Sequence, residues 1–256
     1  MTTPRTILIT GAGGGLGRGM ALYLAARGHT IVATDLRREA TDDVVAQIRA
    51  EQGQAAGHAL DVTSSESIRQ LVTELGTQPV DVVINNAGLQ HVASVEEFPE
   101  EKWDLLINVL LNGPFLLSRA FLPGMRERGF GRLVHIGSIH SLIASPFKSA
   151  YTAAKHALLG LSKVLALETA GHDITSNTIC LAYVRTPLVE AQIVAQARTR
   201  GIPEEEVIQK IMLAPMPKQT FITVEEIAGA VEYLISPLAR NVTGQTITID
   251  GGWTAQ

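Results

Sequence analysis

Thr10-Gly11-Ala12-Gly13-Gly14-Gly15-Leu16-Gly17 stands between the β-branched run Thr6 to Thr10 and a stretch with Leu16, Met20 and Leu24 at helical spacing. A glycine-rich link from strand to helix turns tightly and lets the backbone approach a pyrophosphate. The free N–H groups and dipole of the helix N-terminus then favour its negative charge. The segment therefore predicts a dinucleotide site built from Gly11, Gly13, Gly15, Leu16 and Gly17. Outward from it, short aliphatic runs recur at Thr30 to Thr34, Ala55 to Leu60, Val80 to Ile84, Gly131 to Gly137 and Ile174 to Leu181. Between them apolar residues fall three and four apart, as at Ile68, Leu71, Val72 and Leu75, which is helical periodicity.

Strand alternating with helix predicts parallel strands joined by crossovers, with helices on both faces of the sheet. A last strand, Gln245 to Ile249, follows a helical segment Val224 to Ile235 and a turn at Asn241 to Gly244. No linker divides the chain, so residues 1–256 are expected to form a single-domain, Rossmann-type doubly wound α/β fold. Residues 188–217 differ, with the Glu204-Glu-Glu run and Pro203, Pro215 and Pro217. They predict two short inserted helices, either a substrate lid or a solvated excursion.

The 21 Lys and Arg against 25 Asp and Glu leave a formal net charge of −4. That balance argues against a nucleic-acid surface or a polybasic membrane patch and points to small-molecule partners. One cysteine, Cys180, cannot form an intramolecular disulfide, which suits a reducing compartment and predicts a cytoplasmic protein. Only three apolar residues, Ile7 to Ile9, follow the polar start of the chain, too few for a signal sequence. The longest apolar stretch, Leu105 to Leu117, is interrupted by Asn108 and by Asn112-Gly113-Pro114. It falls short of the roughly 20 residues of a membrane span and reads as a buried helix.

Asp35 closes the second strand 18 residues beyond Gly17, where a carboxylate accepts hydrogen bonds from an adenosine ribose and repels a 2′-phosphate. This favours NAD over NADP, although Arg37 and Arg38 follow at once and are able to pair with a phosphate. Asp61-Val62 and Asn85-Asn86-Ala87-Gly88 follow the third and fourth strands, at the sheet edge where ligands bind in such folds.

Tyr151 and Lys155, four apart at the start of an Ala- and Leu-rich helical stretch, share a face, and Ser138 ends a strand thirteen residues earlier. A phenol has a reference pKa of about 10. An ammonium about 4 Å away at an effective dielectric near 20 favours the phenolate by roughly 4 kcal/mol, so Tyr151 is expected to exchange protons near neutrality.

On the Thr10 to Gly17 motif, Asp61, Asn85 to Gly88, Ser138, Tyr151 and Lys155, taken in order, the whole chain resembles the short-chain dehydrogenase/reductase family. The resemblance implies that Tyr151 is the general acid/base and that Ser138 hydrogen-bonds the reacting oxygen. It implies that Lys155 lowers the tyrosine pKa and holds the nicotinamide ribose. It further implies that Val184 and Thr186, in Val184-Arg-Thr-Pro187, meet the nicotinamide carboxamide, and that the protein is a homotetramer. The Leu105 to Leu117 helix and the helix after Tyr151 are then the interface elements. Two positions depart from the family pattern: Leu110 where many members carry an asparagine, and Leu181-Ala182 where relatives often have Pro-Gly.

Within the family, Asn85-Asn-Ala-Gly-Leu-Gln-His91, Ser138-Ile-His140, Lys148-Ser-Ala-Tyr151, Val184 to Gln192 and Gly251-Gly-Trp253 are similar to bacterial D-3-hydroxybutyrate dehydrogenases. That similarity implies that Gln90, His140, Lys148 and Gln192 hold a substrate carboxylate, with no metal. A small anion losing its hydration requires a cation and hydrogen-bond donors, which these side chains supply. Individually each is also an ordinary solvated or satisfied polar residue. Trp253 reads as core or as the pocket edge of a neighbouring subunit. The competing functions are a reductase of 3-oxoacyl thioesters and a non-catalytic dinucleotide sensor; Asp35 and Lys148 oppose the first, and intact Ser138, Tyr151 and Lys155 the second.

Overall fold

Among the described residues seven runs form strands, and in those at the centre of the sheet alternate side chains enter two different cores. They are β1 (Thr6–Thr10), β2 (Thr30–Asp35), β3 (Gln54–Ala59), β4 (Val82–Asn85), β5 (Phe130–Ile136), β6 (Asp173–Leu181) and β7 (Thr246–Ile249). A computed structural model describes residues 3–255, the side chains at positions 188, 191, 195 and 199 excepted. Met1, Thr2 and Gln256, the ends of the expected 1–256 domain, lie outside the described residues. All seven strands are parallel, in the order β3-β2-β1-β4-β5-β6-β7. The order reverses between β1 and β4, and the crevice beyond the strand ends at such a point is where ligands bind.

Ile7 and Ile9 of β1 face a core shared with α1 (Gly15–Ala25), α2 (Asp42–Ala50) and the helix Val224–Ile235. Leu8 faces the other side, with α3 (Ser65–Leu75) and the helix Gly113–Arg128. The alternation is that of strands buried on both faces. On α3, Ile68, Leu71 and Leu75 are buried, whereas Val72 points outward.

The expected buried helix Leu105 to Leu117 is part of a longer run, α4 (Glu100–Ile107), a π-helical turn (Asn108–Asn112) and α5 (Gly113–Arg128). The run is 29 residues long, and an 18-residue window within it has a mean hydropathy of 1.6, enough to cross a membrane by length and composition. Its inner face belongs to the protein's own core through Leu106, Leu110, Leu117, Phe121 and Met125. Leu105 and Phe115 are exposed, so the helix is amphipathic rather than wholly buried. The wide turn has a local cause. Pro114 has no N–H to give the Leu110 carbonyl, and Gly113 donates instead to Asn108, five residues back.

The remaining helices are α6 (Ser149–Glu168), α7 (Pro187–Arg200), α8 (Glu204–Val207) and α9 (Val224–Ile235). The inserted segment therefore begins with a 14-residue helix and ends in a short one extended by a π-helical turn (Ile208–Met212). Val189, Ile193, Val207 and Met212 give it a small core of its own.

Candidate active site

The C-terminal ends of the strands open onto one cavity of about 600 Å³. At Gly17 a Cβ would stand 2.1 Å from the Gly11 carbonyl oxygen, so only glycine lets α1 begin this close to the preceding loop. At Gly13 a Cβ would lie 2.8 Å from the Asp35 carboxylate. That carboxylate accepts from the backbone N–H of Gly13 at 3.1 Å and of Leu36 at 2.8 Å. It is thereby fixed beside the glycine loop.

Thr10 Oγ1 accepts from the backbone N–H of Asn86 at 3.0 Å and of Ala87 at 2.9 Å. The Asn86 amide donates to the carbonyls of Thr10 and Gly11. The loop after β4 is thus bolted to the glycine loop across the switch point. Asp61 accepts from the N–H and hydroxyl of Thr63, closing a turn that leaves Asp61 and Val62 on the cavity wall. Gly11, Gly15, Leu16, Asp35, Asn86, Ala87, Gly88, Val184 and Thr186 line the same wall; Gly13 and Gly17 stand behind it.

Ser138 caps a 3₁₀ turn (Ile139–Ser141), its Oγ accepting from the His140 N–H at 3.2 Å. Tyr151 and Lys155 face it from the first turns of α6, and all three line the cavity. Lys155 lies in the core, with its Nζ 5.7 Å from the centre of the Tyr151 ring. Its ammonium donates to the Ile136 carbonyl at 2.6 Å.

The expected lowering of the Tyr151 pKa by Lys155 is corrected here. Burial raises the phenol above its ordinary value, a hydrogen bond from Ser138 opposes that rise, and Lys155 is not among the causes. Burial also lowers Lys155 itself to about 8. Two groups taken out of water each disfavour their charged form, and the lysine proton is committed to a backbone carbonyl.

Gln90, His140, Lys148 and Gln192 line the cavity next to this trio. Burial, with a contribution from the Lys148 charge, lowers His140 to about 4, so it is a neutral imidazole at neutral pH. Its Nε2 pairs with the Ser145 hydroxyl at 2.9 Å. Trp253 lies on this chain's own cavity, its ring 6.0 Å from Tyr183 and 6.5 Å from His140. Asp250 fixes the turn beneath it by accepting from Gly252 N–H and from the N–H and hydroxyl of Thr254. Tyr183, absent from the sequence reading, joins Trp253 here although 70 positions separate them. Only the folding of β6 beside β7 brings them together.

The family pattern for short chain dehydrogenase matches residues 5–196. The chain belongs to the short-chain dehydrogenase family. It is 44% identical to the D-beta-hydroxybutyrate dehydrogenase of Rhizobium meliloti, over 98% of this chain and 99% of that protein. It is 40% identical to the enzyme of that name from Cupriavidus necator, over 100% of both. It is 31% identical to a 3-oxoacyl-acyl-carrier-protein reductase of Thermotoga maritima, over 97% of both. As a short-chain dehydrogenase it is an oxidoreductase.

The departures from the family pattern are apolar and local. Leu110 is buried with Leu106, Ala150 and Ala154 and lines the cavity beside Gly88. It sits within the π-helical turn, so the helix is distorted at this place without an asparagine. Asn108 and Asn112, off that register, bond to each other at 2.7 Å. Leu181 and Ala182 reach the cavity wall as well.

Proposed function

We propose that this short-chain dehydrogenase interconverts D-3-hydroxybutyrate and acetoacetate with NAD. The observation that carries the reading is Lys148, a cation on the cavity wall beside the neutral donors Gln90, Gln192 and His140. A carboxylate entering such a wall exchanges its hydration for charge-assisted hydrogen bonds. The two D-beta-hydroxybutyrate dehydrogenases among its relatives agree with this choice.

The glycine loop fits a pyrophosphate, and the Asp35 carboxylate beside it fits a ribose hydroxyl pair and opposes a 2′-phosphate. Val184 and Thr186 would meet the carboxamide, and Lys155 the second ribose. When bound, NAD supplies the hydride acceptor. In the reducing direction the protonated Tyr151 phenol donates to the keto oxygen while Ser138 holds that oxygen by a hydrogen bond. In the oxidising direction Tyr151 starts as the phenolate, takes the hydroxyl proton and becomes the phenol. Gln192, on α7, draws residues 188–217 over the bound acid as a lid and excludes water.

The exposed apolar residues Trp103, Leu105 and Phe115 on one helical run, and Val164 and Leu167 on α6, fit a homotetramer; sedimentation as a monomer would count against it. The lone buried Cys180 fits the cytoplasm. The deciding experiment is NADH formation from the separate D and L acids, with NAD and with NADP. Turnover of the D acid with NAD supports the proposal. Turnover only of a 3-hydroxyacyl thioester would replace it with the thioester reductase reading.

A further inference from the structure

Two loops deliver the side chains of the substrate end. One leaves β4 and carries Gln90 and Ala93; the other runs from the 3₁₀ turn to α6 and carries Phe147 and Lys148. Among the described residues one hydrogen bond joins residues 86–99 to residues 141–148, from the Ala93 N–H to the Phe147 carbonyl at 3.1 Å. Phe147 makes that bond from the left-handed region, with φ +67°. A side chain with a Cβ crowds the neighbouring carbonyl there, and a bulky residue in that region is a genuine outlier.

Nothing in the packing of Phe147 offsets this. Its side chain is exposed, at 58%, so the residue keeps an unfavourable backbone without a core contact to hold it. Strain of this kind persists where the surroundings over-determine it, and it clusters at ligand sites. The left-handed turn reverses the chain two residues before α6 begins. It turns the Phe147 carbonyl toward the neighbouring loop and leaves Lys148, half-buried, on the cavity wall. The same segment is anchored at its other end by the Ser145 hydroxyl on His140.

We infer that Phe147 is a positioning residue whose left-handed backbone clasps the Gln90 loop to the Lys148 loop, setting the distance between two side chains that receive the substrate carboxylate. The inference rests on the carboxylate reading above.

The test compares Phe147→Gly, which adopts this backbone freely, with Phe147→Val, which resists it most. Both are combined with Lys148→Ala. Phe147→Gly keeps the low KM for D-3-hydroxybutyrate, whereas Phe147→Val raises it about fivefold or more with kcat and NADH affinity unchanged. In the Lys148→Ala background Phe147→Val raises KM no further, because the two changes remove one interaction. Hydrogen exchange at the Ala93 amide is slow in the wild type and Phe147→Gly and fast in Phe147→Val. A Phe147→Val effect that adds fully to that of Lys148→Ala, or Gly and Val variants with equal KM, overturns the clasp alone. A Lys148→Ala protein with wild-type KM overturns the carboxylate reading, and the role given to Phe147 with it.

Discussion

The Lys155 ammonium donates to the carbonyl of Ile136, the last residue of β5, at 2.6 Å. The charge proposed to hold the nicotinamide ribose is therefore tethered to the sheet, and burial brings the lysine down to about 8. On the proposed mechanism, reduction of the keto acid needs both the tyrosine proton and the lysine charge. It is expected to be flat on the acid side and to fall about tenfold per pH unit above about pH 8, since the charge is lost as pH rises through the lowered pKa. A kcat/KM profile in the reducing direction checks this, and a rate still flat well above that pH would disprove it.

Tyr151→Phe removes a single oxygen from a partly buried ring. Turnover should drop by about two to four orders of magnitude, the usual contribution of a positioned acid/base. NADH affinity, read by fluorescence titration, should stay within about twofold, because the wall that would hold the coenzyme is otherwise intact. Weak NADH binding would mean that the phenol is structural.

His135 sits beneath this site in a fully buried chain of hydrogen bonds. The Asn85 amide donates to Nδ1 at 3.1 Å, so the ring proton is on Nε2 and goes to Ser176 at 3.2 Å. Burial, and then the Lys155 charge, lower its pKa to about 3. The unfolded chain takes up this proton near pH 6.5, so between there and about 3 it binds more protons than the folded one. Stability is thus lost as pH falls through that window, by about 3 kcal/mol at pH 4.5 from this group. Urea unfolding at neutral pH and at pH 4.5 measures it. His135→Asn should flatten the difference by that amount, and an unchanged pH dependence would remove His135 as its source.

Asp35→Ser removes the carboxylate that opposes a 2′-phosphate while Arg37 and Arg38 remain next in the chain. The KM for NAD should rise about tenfold, and NADP should become a usable coenzyme, as expected from loss of a charge-assisted hydrogen bond and of a repulsion. A variant with the coenzyme preference of the unaltered protein would show that another group selects the coenzyme.

The sheet was legible because β1, β2, β4 and β5 carry their burial in their composition; β3, Gln-Ala-Ala-Gly-His-Ala, owes its place more to pairing with β2 than to its own residues. The glycine loop, Asp35, Tyr151 and Lys155 were legible because their chemistry depends on local spacing. The wide turn at Asn108–Asn112 was not, since it needs both the missing N–H of Pro114 and the packing of Leu110 against α6. Nor was the partner of Lys155. Spacing placed its ammonium on the helix face of Tyr151, but its proton goes to a strand carbonyl 19 positions away. Burial of the phenol, a property of the assembled cavity, then reversed the expected direction of its shift.

A turn closed over five residues holds one residue more than an α-helical turn. Deleting a single position between Asn108 and Asn112 would let the helix rewind into regular register. Because the wide turn already absorbs that extra residue, everything beyond it would keep its phase. Leu117, Phe121 and Met125 would stay on the core. What would move is the stretch inside the turn, where Leu110 lines the cavity. The length of this segment therefore shapes the wall of the cavity rather than the seating of the helix: a one-residue deletion there would redraw the pocket and leave the packed face in place.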